Sequence, residues 1–120
     1  MIKYFPAPDI EAQAKQIAAK LQMHHDFSRV VFMRSNGSKS KYTLARCHAL
    51  SRIMQKALDV EAHYVIEVIA ERFDVLSQEE QTKTIIHELL HVPKSMGGGF
   101  RHHDYVCRRN VEDMYKKFKK

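Results

Sequence analysis

Apolar positions at helical spacing open the chain: Ile10, Ala14, Ile17, Ala18 and Leu21 would share one face of a helix. Pro8 and Asp9 mark its start, with Asp9 as the cap, and the spacing carries it to about Met23. The pattern then changes. Residues 27–34 are rich in β-branched and aromatic side chains and predict a strand. Residues 35–41 are polar, and Asn36-Gly37 is the strongest hairpin signal in the chain, so residues 42–50 are predicted as the return strand. Ser51 to Leu58 fits either a helix, through Ile53, Met54, Ala57 and Leu58, or a bent continuation of that strand. Tyr64 to Ile69 is the clearest strand of all.

A helical period returns after Ser77. Ser77 followed by Glu80 is a capping-box pattern, and Glu79 and Glu80 place negative charge where the helix dipole favours it. Pro93 marks the far end, because the residue before a proline is pushed out of helical geometry. Ile85, Ile86, Leu89 and Leu90 gather on one side of this helix, with Thr84, His87 and His91 opposite. Three glycines from Gly97 to Gly99 predict a sharp reversal. A last helix from about His103 to Phe118 would pack through Cys107, Val111, Met114 and Phe118. The expected class is α+β: a small domain with an N-terminal helix, a three-stranded sheet with a hairpin, the helix after Ser77, and a closing C-terminal helix. One domain should span residues 1–120.

The polar arc of the helix after Ser77 carries the chemistry. His87, Glu88 and His91 spell H-E-x-x-H. Positions four apart on a helix lie one above the other, so His87 and His91 can put ring nitrogens on one metal ion. Glu88 is rotated by about 100° and misses the ion, but it can reach a water beside it. Zinc brings such a water's pKa towards neutrality, and a carboxylate can take its proton and pass it to a leaving amine. Two ligands and a general base thus sit in five consecutive residues.

Composition narrows the setting. The hydrophobic fraction of 44% and charged fraction of 28% are those of a globular protein. No apolar run approaches the length that spans a bilayer, and the N-terminus lacks a signal-peptide core, so no membrane is expected and the location is read as cytoplasmic. Cys47 and Cys107 fit a reducing compartment and read as small buried hydrophobes. The net charge of +6 permits attraction to nucleic acid without establishing it. It is spread over the loop at residues 35–41, residues 46–56 and the tail at residues 116–120.

Catalytic zinc usually takes three protein ligands and keeps one position open. His102, His103 and Asp104 follow the glycines. If the last helix includes them, His103 lies four residues before Cys107, on the stripe that packs inward, and is assigned as third ligand. His102 and Arg101 remain as contacts for the substrate or for a developing oxyanion. His24, His25, His48 and His63 read as surface or satisfied core residues.

With these residues in hand, the chain resembles a phage and archaeal metallopeptidase family, small relatives of the SprT-like zincins. The likeness runs through residues 45–53, 64–74, 84–94 and 98–103, and is specific from about residue 60 to 106. The family's pattern after the zinc helix ends in Arg, a variable residue, then His, which falls on Arg101, His102 and His103. That implies His103 as ligand, although the family usually has proline where His102 stands. The resemblance also inclines Ser51 to Leu58 towards strand. It implies a peptidase with one zinc ion and a peptide or protein substrate. SprT-like relatives include DNA-dependent proteases, with which the basic charge is compatible. Tyr64 to Ile69 is read as an edge strand that could hold an extended substrate by strand addition. The alternative is a non-enzymatic, zinc-stabilised, basic nucleic-acid-binding module.

Overall fold

The computed structural model describes residues 1–93, 95–97, 99 and 106–120. Strands β1 (Lys3–Pro6), β2 (Val30–Asn36), β3 (Ala45–Ala49) and β4 (Tyr64–Ile69) form one mixed sheet. Helices α1 (Pro8–Lys20), α2 (Arg52–Leu58), α3 (Ala70–Phe73), α4 (Gln78–His91) and α5 (Arg108–Lys119) complete the α+β domain. No described helix is long and apolar enough to cross a membrane.

The sheet has four strands, not three, in the order β1-β2-β4-β3. β1 pairs antiparallel with β2 from Lys3 opposite Asn36 to Pro6 opposite Met33. Its four residues are all exposed, so it lacks the half-buried alternation by which a strand is read from sequence. Pro6, with no N–H to give, is tolerated on an edge. β2 and β4 run parallel, and β3 joins the far side of β4 antiparallel.

The expected hairpin at Asn36-Gly37 is therefore absent: β2 and β3 are separated by β4. The dipeptide does turn the chain, with Gly37 at φ +98°, but it directs it over the end of β4. Gly37 N–H donates to Glu71 Oε2 at 2.6 Å, and the Leu44 carbonyl accepts from Ile69 N–H at 3.0 Å. A side chain at Gly37 would be strained by that φ and would meet the Met1 carbonyl oxygen at 2.8 Å.

Three local corrections follow. Asp9 does not cap α1. Pro8 already occupies the first turn, Ala7 stands at the cap, and the Asp9 carboxylate instead accepts from Arg34 Nη1 at 2.7 Å. α1 stops at Lys20 instead of Met23, where Gln22 turns to φ +57°. Ser51 to Leu58 is helix and not strand: the Ser51 hydroxyl caps the Met54 N–H, and Asp59 closes α2 in the left-handed region.

The core lies on one face of the sheet. Val30 and Phe32 of β2 and Tyr64, Ile66 and Val68 of β4 meet Ile10, Ala14 and Ile17 of α1 and Ile85, Ile86 and Leu89 of α4. Strand alternation sends Arg46, His48 and Glu67 to the opposite face. There Glu67 accepts from His48 Nε2 at 2.8 Å and Arg46 Nη1 at 3.5 Å.

Candidate metal centre and its cleft

α4 owes its position to signals at both ends. The Ser77 hydroxyl accepts from the Glu80 N–H at 3.2 Å, and Val92 leaves helical geometry before Pro93. Its apolar arc is buried, and a second arc along its length carries Glu80, Lys83, Thr84, His87, Glu88 and His91. Just beyond its end, His25 donates through Nε2 to the Val92 carbonyl at 2.9 Å and so steadies the helix terminus.

His87, Glu88 and His91 converge. One donor atom from each lies within 4.8 Å of the others, and the imidazole centroids are 5.1 Å apart at 71°. Glu88 and His91 are buried and His87 half-buried. Two imidazoles and a carboxylate this close, shielded from solvent, are a donor set that suits a divalent ion such as zinc. Burial pushes the Glu88 carboxyl up to about 7. No described side chain gives it a hydrogen bond or ion pair that would oppose this. Cys47, on the core side of β3, is near enough to feel the Glu88 charge. Burial first, and that charge second, push its thiol up to about 12.

His87 and Glu88 open onto a cleft of about 700 Å³. One wall is Thr43, Leu44 and Ala45, leading into β3; the other is α4 from Glu80 to Glu88 with Val106, Cys107, Arg108, Val111 and Glu112. Lys83 closes the seam between α4 and α5. Its ammonium meets Glu79 at 2.8 Å and Glu112 at 2.9 Å, and lies 5.0 Å from the centre of the Tyr115 ring.

Sequence reasoning placed His87, Glu88 and His91, and the fold brings them together. Arg101, His102 and His103 lie outside the described residues. The helical stripe used to choose His103 does not reach it, because α5 begins at Arg108 and Cys107 is extended at φ −129°, ψ 165°. The assignment of His103 therefore rests on the resemblance alone. β4 is not an edge strand: it is paired on both sides, and the strand edge beside α4 is that of β3. Cys47 is half-buried beside Glu88, not an anonymous core residue. Lys83 and Arg108 escaped the sequence reading because cleft membership depends on how α5 docks, for which neither residue carries a local signal.

The family described as Putative phage metallopeptidase matches residues 2–119. No curated protein and no solved structure matches the chain.

Proposed function

The chain belongs to this phage metallopeptidase family, and from that premise we propose that it hydrolyses peptide bonds with one zinc ion held by His87, His91 and His103. The observation that carries the reading is the clustering of His87, Glu88 and His91 within 4.8 Å on one arc of α4, with His87 and Glu88 lining a cleft. Bound there, zinc would act as a Lewis acid, polarising a carbonyl and acidifying water.

The protein's own groups do the rest. Glu88 receives a proton on a carboxylate oxygen as water attacks and returns it to the departing amine. A carboxyl lifted towards neutrality by burial suits both halves of that shuttle. Leu44, Ala45 and Cys47 exclude water from one side. The outer edge of β3 offers unpaired backbone groups to an extended peptide, which would be the site of strand addition in place of β4. Arg101 and His102 would supply oxyanion or substrate contacts. The cellular setting we favour is cytoplasmic, where Cys47 and Cys107 stay as free thiols.

Glu88→Gln tests the mechanism: zinc content by elemental analysis should match the parent while hydrolysis of a peptide library disappears. Persisting cleavage would sink it. His91→Ala and His103→Ala should each empty the site, and the parent should shed zinc below about pH 6, as imidazoles protonate.

A further inference from the structure

We propose that Arg108 makes this cleft select peptides carrying an acidic side chain close to the bond that is cut. The inference rests on the peptidase reading above and names the substrate class of the same site.

Among the described residues, five charged side chains line the cleft: Glu80, Lys83, Glu88, Arg108 and Glu112. Four have an evident occupation. Lys83 and Glu112 neutralise each other across the α4–α5 seam. Glu80 stands in the first turn of α4, where a carboxylate offsets the helix dipole. Glu88 belongs to the metal centre. Arg108 has none: it is exposed, and among the described residues it makes no ion pair or hydrogen bond.

Its place in the fold works against it. Arg108 opens α5, where a cation meets the positive end of the helix, and no acidic residue stands in that first turn. Folding therefore gains nothing evident from this guanidinium, which faces the same cleft as His87 and Glu88. The opposite wall, Thr43, Leu44 and Ala45, is uncharged and cannot neutralise it. A guanidinium pairs with a carboxylate through two parallel hydrogen bonds, which favours Asp or Glu over their amides.

The test reads binding, so that it does not depend on turnover. Fluorescent peptides with Glu, Gln or Lys scanned through each position are titrated by anisotropy against zinc-loaded protein carrying Glu88→Gln. At one position the Glu peptide should bind about tenfold more tightly than the Gln peptide. Adding Arg108→Gln should bring that ratio to about one, and Arg108→Glu should turn the preference towards Lys. The ratio should also shrink with added salt. Equal binding of Glu and Gln peptides at every position, or a ratio that survives Arg108→Gln, overturns the proposal. A preference that vanishes with Arg108→Gln while the parent protein cleaves no peptide upholds Arg108 and overturns the peptidase reading. Cleavage without any acidic preference does the reverse.

Discussion

Two carboxylates are almost closed to solvent here, Glu67 at 4% exposed and Glu88, the more deeply packed, at 5%, and their surroundings push them in opposite directions. Glu67 lies on the sheet face away from α4. Burial alone would raise its pKa, but the nearby Ser35 hydroxyl, His48 and Arg46 outweigh that and hold it below the usual range. Glu88 has burial and, among the described residues, no counterweight, and rises to about 7. The difference teaches what each is for. A buried charge surrounded by donors is settled and serves the fold, whereas a buried acid left without them is poised to exchange a proton.

The contrast should be sharpest in activity. Glu88→Gln is expected to lower peptide cleavage by about 10²- to 10⁴-fold, with Glu67→Gln close to the parent at a temperature where both are folded. Equal losses in a fluorogenic peptide assay would erase the distinction. Stability should show the reverse order. Glu67→Ala leaves Arg46 and His48 facing each other without their shared acceptor, and should cost about 2 kcal/mol in urea unfolding. The estimate is held below that of a fully buried pair because both partners are partly solvated.

Acidity separates the two sites further. In metal-free protein the folded pKa of Glu88, about 7, lies above its ordinary 4.5. The folded state therefore binds the proton more tightly, and this site's stability is fully present below 4.5 and lost as pH rises through 7. Glu88→Gln should accordingly raise stability by about 3 kcal/mol near pH 8 and by nothing in acid. Glu67 has the opposite sign: its contribution is present above its ordinary 4.5 and disappears as pH falls through the lowered folded value. Thermal melts of both variants across pH should cross; parallel curves would count against the comparison. The smallest effect is a control. Ser77→Ala removes the α4 cap for about 1 kcal/mol and touches neither carboxylate, so zinc content should stay at the parent level.

Legibility in the sequence followed locality. α4 was readable to the residue because Ser77, Glu80 and Pro93 act within a turn of where they stand. So was the pairing of His87 with His91, which needs only helical spacing. Strand order was not, because Asn36-Gly37 signals a reversal without saying what the chain passes on its way. The link that decides it, Ile69 N–H to the Leu44 carbonyl, joins residues far apart in sequence. β1 was invisible for want of a buried face. Ser51 was available as a cap signal for α2, but α2 is exposed almost throughout, and its apolar residues Ile53 and Leu58 match a period without meeting a core.

The Lys83 tether has one more outcome. By stapling α5 to α4 it fixes the spacing of the wall that faces Thr43, Leu44 and Ala45 across the groove. Loosening that one ammonium would let the two helices drift, so the shape of the groove hangs on a contact that touches neither imidazole.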